Sequence, residues 1–194
     1  MSENPSARPR TGRRRPLFWI LLGFSLRDIT AKHGGEYYAS AVGEVNVVSK
    51  MKEVNAIIGG EGNGGVIFPD SHYGRDALMG IALFLTYFSK KNDTMSEIKA
   101  SLPQYEMAKS KIQLTPGINV DSLVKAMHSQ YKDKEDCNTI DGLKIDFEDA
   151  WVHMRKSNTE PIIRVYSEAN TKEKAESIAD RFVKELGALS EPNP

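Results

Sequence analysis

The sequence predicts an α/β chain made of two folded segments, an α/β segment over residues 26–103 and a compact α+β segment over residues 104–189. Three observations lead to that expectation. Short apolar runs bounded by Gly and Pro alternate with stretches that repeat apolar residues every three or four positions. The pattern breaks once, near Leu102 to Ala108. A hydrophobic content of 40% over 194 residues supports a folded core in one ordinary domain or two small ones.

The elements follow in chain order. Leu26 to His33 is helix-like and stopped by Gly34-Gly35, and Glu36 to Ser40 reads as a short strand. Val45, Val48, Met51 and Val54 have helical spacing. Ala56-Ile57-Ile58 and Val66-Ile67-Phe68 read as short strands. Arg75 to Lys90 is the strongest helix: Ala77, Leu78, Ile81, Leu85 and Phe88 form one face, and Met79, Leu83 and Phe84 widen it. It is expected to be buried on most sides. Ser96 to Ala100 is a further short helix.

In the second segment, Lys111 to Leu114 is strand-like, and Asn119 or Asp121 caps a helix carrying Leu123, Val124 and Met127. Three short strands surround Leu143-Lys144-Ile145, Ala150 to Met154 and Ile162 to Ser167. Thr171 caps a last helix whose buried face is Ala175, Ile178, Ala179, Phe182, Val183 and Leu186, with Gly187 as its end.

Composition narrows the function classes. Equal counts of 26 basic and 26 acidic residues leave no global field to draw nucleic acid. The single cysteine, Cys137, excludes an internal disulfide framework, fits a reducing compartment and leads us to expect a cytoplasmic protein. The first 25 residues differ from the rest: Arg8, Arg10, Arg13, Arg14 and Arg15 precede the apolar run from Leu17 to Phe24. That order has the form of a signal peptide. The run is shorter than the roughly 20 residues of a spanning helix, and no small-x-small cleavage site follows. Residues 1–25 are expected to be a disordered or aberrant leader, with membrane association a minor alternative, and residues 190–194 a tail.

The most informative feature is the turn Arg155-Lys156-Ser157-Asn158-Thr159-Glu160-Pro161, set between two alternating runs, with Arg164 on the returning one. Guanidinium forks, hydroxyls and turn amides in one short loop suit a phosphate. The bland alternative is a polar hairpin whose Ser and Thr bond their own backbone. No activating His or Cys adjoins the turn, so it reads as a grip and not as a reaction centre.

A second loop, Gly59-Gly60-Glu61-Gly62-Asn63-Gly64-Gly65, follows an apolar run but leads into a strand, which argues against a dinucleotide fingerprint. Glu61 can accept hydrogen bonds from a vicinal diol, and Asn63 can donate and accept, which suits a sugar. A flexible hairpin with one solvated Glu is the alternative. Ser40-Ala41-Val42-Gly43-Glu44 is a further candidate loop, with Lys50 beyond it on the next helix, where a lone Lys is more often simply solvated. His33, His72, His128 and His153 fall on unrelated elements, and no Asp-x-Asp loop is present, so neither a catalytic residue nor a metal ligand is assigned.

Ala41-Val42-Gly43-Glu44, Gly59 to Ile67 and Arg155 to Pro161, in that order, resemble the C-terminal half of the α-D-phosphohexomutase family, the phosphoglucomutases, phosphomannomutases and phosphoglucosamine mutases. The likeness runs from about Leu26 to Leu189. It implies that residues 26–103 are the third family domain, a three-layer α/β domain truncated at its start that recognises sugar. It implies that residues 104–189 are the fourth, a TATA-binding-protein-like α+β domain that grips phosphate. The sugar contacts so implied are Glu61, Asn63 and Glu44, with Lys50 a further candidate, and the phosphate contacts Arg155, Ser157, Asn158, Thr159 and Arg164. Gly65 and Glu44 stand where many members carry His, which leaves the choice of sugar open.

In the family, phosphate moves between sugar positions through a phosphoserine in the first domain, assisted by magnesium on an Asp-x-Asp-x-Asp loop in the second. Neither loop occurs in this sequence. The expectation is therefore a phosphohexomutase by ancestry that binds hexose or hexosamine phosphates, carries no cofactor of its own and does not turn over unaided. The alternatives are one subunit of a split enzyme, whose separate N-terminal half supplies the missing loops, or a non-enzymatic interaction or membrane-associated remnant.

Overall fold

A computed structural model describes residues 23–61, 64–113, 119–157 and 159–190. Residues 1–22 of the expected leader (1–25), residues 191–194 of the expected tail (190–194), and the candidate site residues Asn63 and Asn158 lie outside the described residues; Phe24 and Ser25 open the first helix, and Ser190 ends the last. The structure is mixed α/β. The first segment holds α1 (Phe24–Lys32), α2 (Glu44–Val54), β1 (Gly59–Gly60), β2 (Val66–Ile67), α3 (Ala77–Phe88) and α4 (Met95–Ala100). The second holds β3 (Glu106–Gln113), α5 (Val120–Tyr131), β4 (Asp136–Asn138), β5 (Leu143–Asp146), β6 (Ala150–Lys156), β7 (Ile162–Ala169) and α6 (Lys172–Ser190).

The second segment is an antiparallel sheet of five strands in the order β3-β7-β6-β5-β4, with α5 and α6 on one face. Its core joins Leu123 and Met127 of α5 and Phe182 and Leu186 of α6 to Ile145, Val152, Met154, Ile163 and Val165 of the strands. These are the helical and alternating positions that the sequence pattern picks out. Asn119 caps α5 by accepting from the Ser122 amide, and Thr171 caps α6 by accepting from the Lys174 amide. Gly187 does not end α6, which continues to Ser190: helical packing around Leu186 outweighs the glycine.

β6 departs from simple alternation. Trp151 and His153, on the face away from α5 and α6, are fully buried too. Trp151 Nε1 donates to Glu168 Oε1 at 2.9 Å, and the same oxygen accepts from the Phe24 amide at 2.7 Å, so the start of α1 lies against this face of the sheet. Tyr105 secures the approach, its hydroxyl bonding Asp28 and its ring meeting Phe24 edge-on.

The first segment is thinner than expected. Its core is Val47, Met51, Ala56 and Ile67, and its sheet is one hairpin of two-residue strands pairing Gly59 with Ile67 and Gly60 with Val66. The strand over this region begins at Gly59, not at Ala56, and residues 36–40 form no strand. Gly60 of β1 is required by contact, since a Cβ there would meet the Gly65 carbonyl oxygen at 2.6 Å; one on Gly59 would displace the Met51 side chain, whose Sδ would lie 2.3 Å away.

The expectation for α3 is overturned. None of its residues is buried; Leu78 is 78% exposed, and Ile81, Phe84, Leu85 and Tyr87 are exposed with it. The helix packs Gly80 on Val66 of β2, and that narrow hairpin cannot cover more than one side of it. A capping box between Thr94 and Glu97, which the sequence reading passed over, starts α4 at Met95.

Candidate functional site

The Arg155-to-Pro161 turn is the tip of the β6–β7 hairpin. The Ser157 amide donates to the Ile162 carbonyl, and the Ile162 amide to the Glu160 carbonyl, closing the turn on itself. Ser157 is buried beneath it, its Oγ 3.4 Å from Thr159 Oγ1, from the Thr159 amide and from Arg164 Nη2. Three of the predicted phosphate contacts, Ser157, Thr159 and Arg164, therefore converge.

The fourth described one, Arg155, lies directly opposite Arg164 in the β6–β7 register. Directly opposed like charges are unfavourable across a sheet. Here each has a local counter-charge: Arg164 Nη2 is 3.1 Å from Glu160, and Arg155 Nη1 is 4.0 Å from Asp141 Oδ2. Arg155 Nε is buried without a hydrogen-bond partner. Lys111 of β3 faces Arg164 from the other side. The sheet thus carries a row of three cations, Arg155, Arg164 and Lys111, which an anion of two charges would relieve. Lys111 was not a candidate in the sequence because it sits 53 residues from Arg164, and only the pairing of β3 with β7 makes them neighbours. The Tyr166 hydroxyl and then Glu160 hold the Arg164 guanidinium above its ordinary value.

Glu44 and Glu61 come together in the first segment. Glu44 opens α2 after Gly43, whose φ of 120° no ordinary side chain adopts comfortably, and Glu61 directly follows β1. Arg75, in the loop before α3, joins them: Nε lies 2.8 Å from Glu44 Oε2, and Nη1 lies 3.0 Å from Glu61 Oε2. The Glu44 bond and the charge of Glu61 raise the Arg75 guanidinium above its ordinary value. Glu44, Gly64, Gly65, Gly74, Arg75, Asp76 and Ala77 line an open cavity of about 610 Å³. Lys50 is turned elsewhere: it pairs with Glu53 at 2.6 Å and does not line that cavity.

Asp141 is, with Lys111 and Arg75, a residue the sequence did not single out. It lies in the β4–β5 turn, where Gly142 adopts φ 75° and passes so close to β6 that a Cβ there would meet the Met154 carbonyl oxygen at 2.2 Å. This approach brings Asp141 Oδ2 to 4.0 Å from Arg155 and within 3.4 Å of the Val42 amide in the first segment. The Asp141 carbonyl also accepts from His153 Nε2 at 2.5 Å. Burial pushes the His153 imidazole below its ordinary pKa, and its Nδ1 has no partner. Among the described residues, no group of three or more His, Cys, Asp or Glu could hold a metal ion, and no helix is long and apolar enough to cross a membrane.

Profiles of the phosphoglucomutase/phosphomannomutase family match the chain twice, alpha/beta/alpha domain III over residues 23–105 and the C-terminal domain over residues 106–185. The chain belongs to this family and corresponds to its third and fourth domains. It is 39% identical over 161 residues to a phosphoglucomutase/phosphomannomutase of Thermococcus kodakarensis, covering 83% of this chain and 35% of that protein. It is 38% identical over 167 residues to a phosphoglucosamine/phosphogalactosamine mutase of Sulfurisphaera tokodaii, covering 86% of this chain and 36% of that one. A crystal structure of a phosphoglucomutase/phosphomannomutase family protein from Burkholderia thailandensis superposes with a TM-score of 0.76 at 25% identity, over 93% of this chain and 39% of that one. The chain therefore spans about a third of the length of the curated relatives it matches.

Proposed function

We propose that this chain is the sugar- and phosphate-binding part of a phosphohexomutase, binding hexose or hexosamine phosphates without turning them over unaided. One observation carries the reading: a single carboxylate oxygen, Asp141 Oδ2, touches both the Val42 amide beside Glu44 and the Arg155 guanidinium beside Ser157. The candidate loop that carries Glu44 and the loop suited to a phosphate approach each other there, across the two segments. The phosphate would take the row of Arg155 and Arg164 with the Ser157 and Thr159 hydroxyls, and Asn158 belongs to the same proposed contact set. The sugar would take Glu44 and Glu61, and Asn63 belongs to the same proposed contact set. Neither set offers a nucleophile beside a general base, so both bind and orient. Magnesium and the phosphoserine of the family reaction are proposed to be supplied by residues outside this sequence.

The test is binding and turnover by the purified chain with glucose 1-phosphate, mannose 1-phosphate and glucosamine 1-phosphate, with magnesium and a bisphosphate activator. Binding is expected to weaken about 10-fold in Ser157→Ala, in keeping with loss of a charge-assisted hydrogen bond. Turnover above that of the Ser157→Ala control, with host mutase excluded, would sink the claim of inactivity.

A second reading is favoured by α3, whose apolar outer face is left uncovered among the described residues. Here the chain is one subunit of a split mutase, and a separate chain carries the phosphoserine and metal loops. Failure of a chain bearing those loops to restore activity on mixing would count against it.

A further inference from the structure

Arg75 was singled out by neither the sequence motifs nor the family resemblance, yet it is the residue on which the two glutamates of the proposed sugar site depend. Glu61 is only 5% exposed, and a carboxylate so placed is costly without a positive partner. Arg75 Nη1, at 3.0 Å, supplies one. Glu44 is held twice, its Oε2 by Arg75 Nε at 2.8 Å and its Oε1 by the Arg75 amide at 3.4 Å. The three residues come from the start of α2, the end of β1 and the loop into α3, so one planar guanidinium sets the spacing of two acceptors on separate elements.

The cavity wall around this group is poor in other donors. Gly64, Gly65 and Gly74 contribute no side chain, Ala77 is apolar, and Glu44 and Asp76 are acceptors. Asp76 is itself engaged by the Met79 amide and by His72. Arg75 is therefore the one cationic donor among the described side chains that line the cavity, and its side chain remains 47% exposed after both ion pairs.

We infer that Arg75 is the positioning residue for sugar recognition in this chain. It holds Glu44 and Glu61 together on one guanidinium and presents its remaining N–H donors to a ring hydroxyl. The inference rests on the proposed phosphosugar site, and it assigns the sugar half of that site a donor as well as acceptors.

Calorimetric titration of the full 194-residue chain with glucose 6-phosphate, glucosamine 6-phosphate and inorganic phosphate separates the two ideas. Arg75→Met is expected to lose roughly 10–100-fold in affinity for both sugar phosphates, the range for losing charge-assisted hydrogen bonds, while inorganic phosphate binds as in the wild type. Arg75→Lys, which keeps the charge without the fork, should recover part of that loss. Circular dichroism establishes that both variants fold. Sugar-phosphate affinity within about twofold of wild type in Arg75→Met would overturn the inference and leave the binding site standing. An equal loss for inorganic phosphate, or no recovery in Arg75→Lys, would also overturn it, the first by showing a general structural effect. A wild-type chain that binds sugar phosphates no better than inorganic phosphate would overturn the phosphosugar reading itself, and the role of Arg75 with it.

Discussion

His153 shows what burial does to a single side chain. Its Nε2 must donate to the Asp141 carbonyl, so the neutral ring carries its proton there and leaves Nδ1 a buried, unpartnered acceptor. Burial depresses its folded pKa below the ordinary value of 6.5. A depressed value means that the unfolded chain takes up the proton first as pH falls. The stability contribution is therefore fully present above about pH 6.5 and is lost as pH drops through the folded value. Thermal melting midpoints are expected to fall between pH 7 and pH 5, and to fall less in His153→Gln. Equal slopes in the two proteins would refute the assignment. The Ser157, Thr159 and Arg164 cluster was legible in the sequence because its members lie within seven residues on one hairpin. Arg75 was not, because its partner Glu44 is 31 residues away and the pairing depends on how α2 meets the loop before α3.

Among the elements, α3 and α6 make a contrast. Both have apolar residues at helical spacing, and the sequence reads both as packed helices. On α6 the pattern is met by a five-stranded sheet, and Phe182 is buried against Tyr131 and Phe147. On α3 the available partner is a hairpin of two-residue strands, so Leu78 stays in solvent. Periodicity reports which side chains gain from burial, not whether a surface exists to bury them. The energetic contrast should be large: Phe182→Ala is expected to cost about 3–5 kcal/mol and Leu78→Ala less than about 0.5 kcal/mol. Urea denaturation of the two variants checks this, and a Leu78→Ala cost comparable to that of Phe182→Ala would show α3 to be covered. Helix starts were more legible, since Asn119 and Thr171 cap through bonds spanning only three residues.

At the scale of the whole molecule, Glu168 joins the two segments. Its Oε1 accepts from Trp151 within the sheet and from the Phe24 amide of α1, and Gly23 runs so close that a Cβ there would meet the carboxylate. Burial raises the Glu168 pKa above its ordinary value, while the Phe24 and Trp151 bonds act in the opposite direction. With the folded value raised, its contribution is most favourable below the unfolded carboxylate range and is lost as pH rises through the folded value. Glu168→Gln keeps an acceptor for both donors without the buried charge, so it should hold or raise the melting midpoint at pH 7. Glu168→Ala strands two donors and should lower stability by about 1–3 kcal/mol. Destabilisation of similar size in both variants would show that the charge, and not the acceptor, is what matters.

The sequence alone determined the α/β class, the positions of most helices, the Asn119 and Thr171 caps, the inner face of the second segment and the hairpin that gathers Ser157, Thr159 and Arg164. These depend on residues a few positions apart, where backbone hydrogen bonding and side-chain periodicity act directly. The tertiary structure decided the rest: the opposition of Arg155, Arg164 and Lys111 across three strands, the clamp of Arg75 on Glu44 and Glu61, and Asp141 between the two loops. It also decided that β6 is covered on both faces while α3 is bare. Strand order and the docking of one segment on another bring distant residues within bonding distance, and local pattern carries no record of which distant surface will arrive.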